Sequence, residues 1–258
     1  MSAPSTVLIT GGNRGIGRGF VHAFLARPST TVIAAVRDPT HLTSKALHDL
    51  PKAKNSQLII FKLDSSHPDE ATERVAQIQK EYNIGSLDIV IANAGIAIDG
   101  TTVRNTSIEN INQHLLVNTI GPVALFQATA ELLKLSKTGN PIFIGISSII
   151  GSIGSMDAFA EYPPTQSPYG GSKAALNWFI RRLHYEEPWL TSFVFQPGLV
   201  DTELAASAVA AGPSTLKLAD LGPLSVETSV SSMMKIITAA SRAVSGTFQN
   251  YDGTVILW

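Results

Sequence analysis

Tyr169 and Lys173 stand four residues apart in a stretch patterned as a helix over 169–185. Side chains at this spacing lie on one helix face, so a phenol and an ammonium group would be neighbours. A phenol with an ordinary pKa of about 10 gives up its proton poorly near neutral pH, and an adjacent cation stabilises the phenolate. The pair is therefore a candidate general acid/base. Because Tyr-x-x-x-Lys occurs by chance in many helices, its meaning depends on the residues around it.

Ser148 and Asn118 are two further polar residues with candidate functional roles. Ser147 and Ser148 end a predicted strand, where a hydroxyl group would project from the carboxyl edge of a sheet into a ligand crevice. Asn118 lies inside a predicted helix over 107–135, although an amide is a poor helix former and usually has another task there. Gly121-Pro122, which follows soon after, should kink that helix locally.

A glycine-rich turn follows the first predicted strand, and an apolar helix begins directly after it. Its residues are Thr10-Gly11-Gly12-Asn13-Arg14-Gly15-Ile16-Gly17. Glycines at 11, 15 and 17 let the backbone turn sharply and approach a pyrophosphate, whose charge the free N–H groups of a helix N-terminus would meet. A structural turn without a ligand is the alternative. The strand before it and the helix after it favour a dinucleotide site.

Arg37 follows the second predicted strand, where a dinucleotide fold distinguishes a ribose hydroxyl from a ribose phosphate. A planar guanidinium suits a 2′-phosphate, and Arg14 in the glycine turn could reach the same anion. These two residues favour NADP(H) over NAD(H). Asp38 is the rival, because a carboxylate turned inward would accept from a 2′-hydroxyl. Both arginines could also be solvated surface residues.

The ends of the third and fourth strands would hold the adenosine half of such a ligand. Leu63-Asp64 ends the third strand, where a carboxylate can accept from an adenine amino group. Asp64 could equally cap the helical segment that follows, since Ser65-Ser66 comes next. Asn93-Ala94-Gly95 ends the fourth strand, and its small residues would let adenosine lie against the backbone.

The predicted elements bring these residues to one edge of a sheet. Runs rich in β-branched residues indicate buried strands at 7–10, 31–36, 58–63, 87–92, 141–146 and 192–196. Helical patterns separate them at 17–26, 68–82, 107–135 and 169–185. This alternation requires crossover connections, and predicts an α/β fold with a doubly wound, mostly parallel sheet and helices on both faces, a Rossmann fold. A last helix over 226–244 and an extended segment over 247–257 would close one sheet edge.

Residues 1–258 are expected to form a single domain, because no linker or repeat divides the chain. The stretch at about 203–225 departs from the β/α rhythm and is rich in Ala, Ser, Gly and Pro. Its length and its position near the strand ends favour a flap over the ligand, with an ordinary surface loop as the alternative.

Composition excludes several classes of protein. The 258 residues include 44% apolar and 15% charged residues, no cysteine, and 19 basic against 20 acidic side chains, for a net charge of −1. The absence of cysteine excludes disulfides, a thiolate nucleophile and metal sites with sulfur ligands. Near-neutral charge argues against nucleic-acid or anionic membrane partners. No signal peptide pattern or long apolar run is present, so a cytoplasmic location is expected, and the histidine spacing makes a metal site improbable.

Taken together, these motifs resemble the short-chain dehydrogenase/reductase family. The residues that carry the resemblance, in chain order, are Thr10-Gly11-x-x-x-Gly15-x-Gly17, Asn93-Ala94-Gly95, Asn118, Ser148 and Tyr169-x-x-x-Lys173. The match covers nearly the whole chain. The resemblance implies an NADP(H)-dependent reductase of ketones or aldehydes, with a small-molecule carbonyl substrate and a homodimer or homotetramer. A non-catalytic NADP(H)-binding sensor or scaffold is the alternative.

The resemblance also implies a role for each site residue. Tyr169 would be the general acid/base, and Ser148 rather than Ser147 would hold the substrate carbonyl oxygen. Lys173 would bind the nicotinamide ribose and lower the pKa of the phenol, and Asn118 would support a water relay to Lys173. The segment Pro197-Gly198-Leu199-Val200-Asp201-Thr202 resembles the family's P-G-x-V-x-T motif. There Val200 and Thr202 would hold the nicotinamide carboxamide, with a plain Pro-Gly turn as the alternative.

One departure from the family pattern lies between the two catalytic candidates. Ser148 and Tyr169 are 21 positions apart, a longer gap than usual, and the insertion contains Met156, Phe159, Tyr162, Pro163 and Pro164. The insertion, the arginine-containing glycine turn and the ending Gln249-Asn250-Tyr251-Asp252-Gly253 resemble a carbonyl-reductase-like branch of fungi and insects that includes norsolorinic acid ketoreductases. The small and apolar residues of the insertion and flap favour an apolar or aromatic substrate.

Overall fold

The fold was obtained as a computed structural model, which describes residues 5–159, 166–210 and 217–258. Tyr162, Pro163 and Pro164 of the insertion, and part of the flap expected at about 203–225, lie outside these ranges.

One eight-stranded sheet forms the centre of the protein. The strands are β1 Ser5–Thr10, β2 Thr30–Val36, β3 Gln57–Lys62, β4 Ile89–Ala92, β5 Ile142–Ile146, β6 Thr191–Gln196, β7 Phe248–Asn250 and β8 Val255–Ile256. Their order is β3-β2-β1-β4-β5-β6-β7-β8, and every neighbouring pair is parallel except β7 and β8. The predicted α/β fold is confirmed, and the last extended segment is a short antiparallel hairpin.

Helices cover both faces of this sheet. They are α1 Gly15–Leu25, α2 Leu42–Lys45, α3 Ala71–Tyr82, α4 Ile108–Leu115, α5 Gly121–Lys134, α6 Ser167–Glu186, α7 Glu203–Ala210 and α8 Val226–Ala239. One core joins α1 and α8 to side chains such as Ile9, and the other joins α3, α5 and α6 to side chains such as Leu8. Successive strand residues thus serve opposite cores, which is why the strands are apolar on both faces. Short helix α2 had no clear sequence signal.

The long helix predicted over 107–135 is interrupted. A π-helical turn at Leu116–Ile120 separates α4 from α5, directly before the Gly121-Pro122 pair that was expected to kink the helix. Among the described residues, only the continuous helical segment Ile108–Lys134 is long and apolar enough to cross a membrane. Its Leu125, Phe126 and Leu133 are buried against the sheet, so core packing accounts for that apolar character.

The last two residues of the sequence pack beside the end of β5. Ser152 Oγ donates to the Leu257 carbonyl oxygen (2.5 Å), and Gly154 N donates to that of Trp258 (2.6 Å). The Trp258 ring also packs against Phe248 of β7, with ring centroids 5.6 Å apart. The segment that follows Ser148 is therefore fixed by the C-terminal hairpin.

Candidate active site

A cleft of about 1660 Å³ runs along the carboxyl ends of the parallel strands. It brings together nearly all of the predicted site residues: Gly11, Asn13, Arg14, Gly15, Ile16, Arg37, Leu63, Asp64, Asn93, Ala94, Gly95, Ser148, Tyr169, Lys173, Pro197, Gly198, Val200 and Thr202. Two predicted residues, Gly17 and Asn118, do not line it. Both residues lie behind the side chains and backbone that line the cleft.

The glycine turn forms one end of the cleft. Gly11 and Gly15 have φ of +64° and +51°, a region that suits glycine. A Cβ on Gly17 would lie 2.2 Å from Gly11 O, so only glycine lets α1 approach this closely. The N-cap residue of α1, Arg14, makes no side-chain capping hydrogen bond. The first turn of α1 therefore presents backbone N–H groups to the cleft, as an anion site requires.

Asn93 fixes this turn with its side chain. Its Nδ2 donates to the carbonyl oxygens of Thr10 (2.9 Å) and Gly11 (3.3 Å). Thr10 Oγ1 in turn accepts from Asn93 N and Ala94 N, each at 3.0 Å. The Asn93 side chain thus holds the glycine turn in place. The ligand contact predicted for residues 93–95 is left to the backbone of this segment and to Ala94 and Gly95, and it stays a prediction. The glycine motif by itself does not predict this structural role of the Thr10 hydroxyl.

Arg37 and Asp38 at the end of β2 have different local surroundings. Arg37 is exposed at the cleft wall. Asp38 Oδ1 accepts from Thr40 Oγ1 (2.6 Å) and Thr40 N (2.8 Å), and these hydrogen bonds lower the pKa of Asp38. Because this carboxylate oxygen already serves the local turn, Asp38 is a weaker rival for a ribose hydroxyl than the sequence suggested.

Asp64 at the end of β3 is also bound locally. Its Oδ1 accepts from Ser66 Oγ (2.7 Å) and Ser66 N (3.0 Å). Partial burial acts to raise the pKa of Asp64, but the bonds from Ser66 and the charges of His67 and Arg37 outweigh it, so the pKa is lowered. Asp64 therefore closes a local turn with Ser66 and does not cap the helical segment that follows, whose N-cap residue is His67, and the contact with adenine stays a prediction.

Arg14 reaches across the cleft mouth to α7. Its Nη1 lies 2.7 Å from Glu203 Oε2, and both side chains are largely exposed. Sequence reasoning missed this ion pair, because nothing in the local pattern connects two residues so far apart in the chain. The predicted contact of Arg14 with a 2′-phosphate would compete with it.

Ser148 lies at the chemical end of the cleft, at the turn after β5. Its Oγ accepts weakly from Ile150 N (3.3 Å), while Gln196 Oε1 holds Ile149 N (2.9 Å). Ser147 also borders the cleft, but it is buried and its Oγ donates to Asn177 Oδ1 (2.6 Å). This geometry supports Ser148 over Ser147. The bracing residues Gln196 and Asn177 carried no recognisable sequence signal.

Tyr169 and Lys173 of α6 lie beside Ser148. Burial raises the pKa of Tyr169 to about 12, and the hydrogen bond with Ser148 offsets only part of this effect. Lys173 is buried, with Nζ 5.7 Å from the Tyr169 ring centroid, and donates to Ile146 O (2.7 Å). Burial lowers the pKa of Lys173 to about 7.

Burial is the larger effect on the pKa of Tyr169, and a lowering of this pKa by Lys173 stays a prediction. The low-dielectric surroundings favour the neutral form of both groups. With a pKa of about 7, Lys173 carries only part of a positive charge at neutral pH. Its Nζ lies 5.7 Å from the ring centroid of Tyr169, and burial is the largest cause of the Tyr169 pKa shift.

Asn118 lies in the π-helical turn behind the cleft wall. Its Oδ1 accepts from Ile96 N (2.8 Å), and its Nδ2 donates to Ile96 O (2.9 Å) and Ser172 Oγ (3.0 Å). The side chain is fully buried and binds no group in the cleft. It ties the loop after β4 to α6, the helix of Tyr169, and the water relay implied by the resemblance stays a prediction.

The segment after β6 closes the cleft on the side opposite β2. Gly198 has φ of +85°, and a Cβ there would lie 2.6 Å from Leu224 Cδ1. Thr202 Oγ1 donates to Val200 O (3.3 Å) and accepts from Ala205 N (3.2 Å), which caps α7. Thr202 thus has a local structural task, and its contact with the nicotinamide carboxamide stays a prediction.

Helix α7, within the predicted flap, lies over this end of the cleft. Gln166 Nε2, just before α6, donates to Ala208 O (3.0 Å) and links the flap to the catalytic helix. In the described ranges, no group of three or more His, Asp or Glu side chains has the arrangement of a metal site.

Comparison with known proteins identifies the family. The family model described as short chain dehydrogenase matches residues 5–212. Short chain dehydrogenase gsfK of Penicillium aethiopicum is 38% identical over 257 residues, which cover 99% of this chain and 100% of that protein. Norsolorinic acid ketoreductase nor1 of Dothistroma septosporum is 40% identical over 206 residues, covering 80% of this chain and 76% of that protein.

Solved structures agree. The NADPH-bound carbonyl reductase from chicken fatty liver matches with a TM-score of 0.83 and 31% identity, over 100% of both chains. Carbonyl reductase Sniffer of D. melanogaster matches with a TM-score of 0.80 and 28% identity, again over 100% of both chains. The resemblance to carbonyl reductases and norsolorinic acid ketoreductases is confirmed. This chain belongs to the short-chain dehydrogenase/reductase family of oxidoreductases.

Proposed function

We propose that this protein is an NADPH-dependent reductase that converts a small ketone or aldehyde, apolar or aromatic in character, into an alcohol. The observation that carries the proposal is one continuous cleft that begins at the glycine turn and ends at Ser148, Tyr169 and Lys173. A dinucleotide site and an acid/base site share this space. The related ketoreductases and the NADPH-bound carbonyl reductase support the same activity.

The residues of the cleft fit NADP(H). The positive φ of Gly11 and Gly15 and the close approach at Gly17 leave room for a pyrophosphate at the start of α1. Arg37 is exposed where a 2′-phosphate would lie, and Asp38 is turned to Thr40. Gly95 lets the loop after β4 pack closely against Asn118, since a Cβ there would lie 3.1 Å from Asn118 Oδ1. When bound, NADPH would supply the hydride that reduces the carbonyl carbon.

Tyr169 and Ser148 would act on the carbonyl oxygen. A phenol with a pKa of about 12 is fully protonated at neutral pH and has a proton to give as negative charge develops on that oxygen. The Ser148 hydroxyl would donate a hydrogen bond to the same atom. Lys173, with a pKa of about 7, can gain or lose a proton near neutrality and would hold ribose hydroxyls.

The substrate end of the cleft is lined largely by apolar side chains. They come from the loop after β4, the turn after β5, the segment after β6 and the flap, and include Ile96, Ile149, Leu199, Leu204, Val209 and Leu221. Such a lining binds an apolar or aromatic carbonyl compound through burial of its surface.

The test is consumption of NADPH with a panel of aliphatic and aromatic ketones and aldehydes. Wild-type protein should oxidise NADPH with at least one of them, and should bind NADPH more tightly than NADH. Arg37→Ala should remove most of this preference. NADPH binding without turnover of any carbonyl compound would favour the sensor or scaffold alternative instead.

Tyr169→Phe is the decisive variant. Removing the hydroxyl proton should lower turnover by about a thousandfold or more, because positioned acid/base groups contribute roughly 10²–10⁴ in rate. NADPH affinity, measured by fluorescence titration, should stay near that of the wild type. Turnover equal to that of the wild type with normal NADPH binding would remove Tyr169 from its assigned role.

A further inference from the structure

Three buried polar side chains follow one another along the helical segment behind the cleft. Asn110, His114 and Asn118 are spaced by four residues and therefore share one helix face. Asn110 is 8% exposed and the other two are completely buried. Polar side chains are costly in a core unless each finds a hydrogen-bond partner, so their partners are informative.

All three bind the loop that follows β4, residues 93–101. Asn118 holds Ile96 through both of its amide atoms, as described above. His114 Nε2 accepts from Ile98 N (3.3 Å), and Asn110 Nδ2 donates to Asp99 O (2.9 Å). We refer to Asn110, His114 and Asn118 as the polar ladder. Its members bind the loop at successive points.

The ladder holds the loop in a backbone conformation that is unfavourable at Asp99. Asp99 has φ of +43°, which is unfavourable for a residue with a side chain. The loop also supplies Gly95, Ile96 and Ala97 to the cleft wall. Further on, Thr101 O accepts from Ser167 N (3.2 Å) at the start of α6. The position of the loop thus sets the wall opposite Tyr169.

His114 also contacts the catalytic tyrosine directly. The two rings meet edge to face, with centroids 6.5 Å apart and an interplanar angle of 77°. Nδ1 of His114 lies 2.9 Å from Asn110 O. Because Nε2 accepts from Ile98 N, Nδ1 carries the proton and donates to that carbonyl, which fixes the ring orientation. One imidazole therefore connects the loop, the helix and the Tyr169 ring.

We propose that His114 is a positioning residue that sets the substrate side of the active site, by holding the loop at Ile98 and supporting the Tyr169 ring. The proposal rests on the proposed reductase function. When His114 is changed, Asn118 still holds Ile96, so the part of the loop nearest Gly95 and the cofactor side stays in place. The loss should therefore fall on the carbonyl substrate and not on NADPH.

His114→Phe keeps the ring and removes both hydrogen bonds, whereas His114→Gln keeps an acceptor and a donor. We expect His114→Phe to lower kcat/KM for the carbonyl substrate on the order of tenfold, since small misplacements near a reacting group are costly. The NADPH dissociation constant should stay within about twofold. His114→Gln should recover most of the loss. The matched control is Gln113→Ala, an exposed neighbour whose side chain, among the described residues, hydrogen-bonds only with Glu109.

Hydrogen exchange of the 96–100 backbone tests the ladder independently of turnover. Exchange should increase in His114→Phe and stay unchanged in Gln113→Ala. If His114→Phe does not fold, Asn110→Ala, which removes the neighbouring bond to Asp99 O, takes its place in both measurements. Unchanged exchange, wild-type kcat/KM in a folded variant, or an equal loss of NADPH affinity would overturn the proposal. A wild-type protein that reduces no carbonyl compound would instead contradict the proposed function, and exchange would still test the ladder.

Discussion

Ser147 and Ser148 are neighbours with the same functional group and opposite surroundings. Ser148 faces the cleft beside Tyr169, whereas the Ser147 hydroxyl donates its hydrogen bond to Asn177. The different hydrogen-bond partners of these two neighbouring hydroxyl groups therefore decide which of them stays available to a ligand in the cleft.

Ser148→Ala should lower turnover about a hundredfold, because it removes one donor to the oxygen that gains negative charge. Thermal stability should fall only slightly, since the variant loses the hydrogen bond with Tyr169 and a weak contact with Ile150 N. Ser147→Ala is the matched comparison, with reduced stability from loss of a buried hydrogen bond and a smaller change in turnover. Steady-state kinetics and thermal unfolding of both variants decide between them.

Lys173 should make stability depend on pH in a defined direction. Its pKa falls from 10.5 to about 7 on folding, so the folded state binds fewer protons than the unfolded chain between these values. The resulting penalty is largest below about pH 7 and disappears as pH rises through 10.5. Lys173→Met should therefore stabilise the protein relative to the wild type, by about 2 kcal/mol more near pH 6 than near pH 9.

Urea unfolding of both proteins without NADPH measures this difference. A gap that stays constant with pH, or widens as pH rises, would show that burial does not lower the pKa of Lys173. Tyr169 does not interfere below about pH 9, because its phenol is protonated in both the folded and the unfolded states there.

The identities of the catalytic candidates could be predicted from sequence, but their ionisation could not. Tyr169, Lys173 and Ser148 have recognisable spacing and strand-end positions. The direction of the Tyr169 pKa depends on burial and on where Lys173 Nζ points, and these follow from packing around Ile146. For the same reason, the sequence could not show that Asp38 is engaged by Thr40 or that Asp64 is engaged by Ser66.

At the scale of elements, α1 starts so close to the glycine turn that a methyl group added at Gly17 would clash with the turn. Gly17→Ala would place a Cβ 2.2 Å from Gly11 O, so the turn must move and the anion site must open. NADPH binding should weaken by about tenfold or more. Gly85→Ala is the control, because a Cβ there meets no atom within 4 Å. Equal NADPH affinity in both variants would contradict the assigned site.

The break between α4 and α5 shows what a helical pattern leaves out. Asn118 and the Gly121-Pro122 pair indicated an irregularity, but not its form. The π-helical turn is stabilised by partners distant in sequence, such as Thr119 Oγ1 donating to Ser172 O (2.8 Å). Such turns often mark functional sites. His114 and Asn110 went unnoticed because a single buried polar residue on a helix has no signal until its loop partner is known.

At the scale of the whole molecule, the cleft lies where the strand order changes direction. From β1 the chain proceeds outward to β2 and β3, then returns to place β4 on the other side of β1. Ligands of open α/β sheets bind at such a point. The parallel sheet could be predicted from the alternating pattern, but the strand order could not, because crossover rules permit several arrangements.

The outer surface of α6 supports the predicted homodimer or homotetramer. Trp178, Phe179 and Tyr185 are 64%, 44% and 61% exposed, and Ile120 beside α5 is 48% exposed. Large apolar side chains grouped on one surface are typical of an interface. Sedimentation should give a mass of at least two chains, and Trp178→Glu should lower it. Wild-type protein that sediments as one chain would contradict this prediction.

The bonds from Ser152 and Gly154 to the carbonyl groups of Leu257 and Trp258 have a consequence for how the enzyme is made. During synthesis on the ribosome, strands β1 to β4 and the glycine turn can pair early, because these strands and Asn93 emerge first, although α1 still lacks its partner α8. The segment behind Ser148 must wait for residues about a hundred positions downstream. A nascent chain thus gains its nucleotide-binding half well before its chemical half is finished.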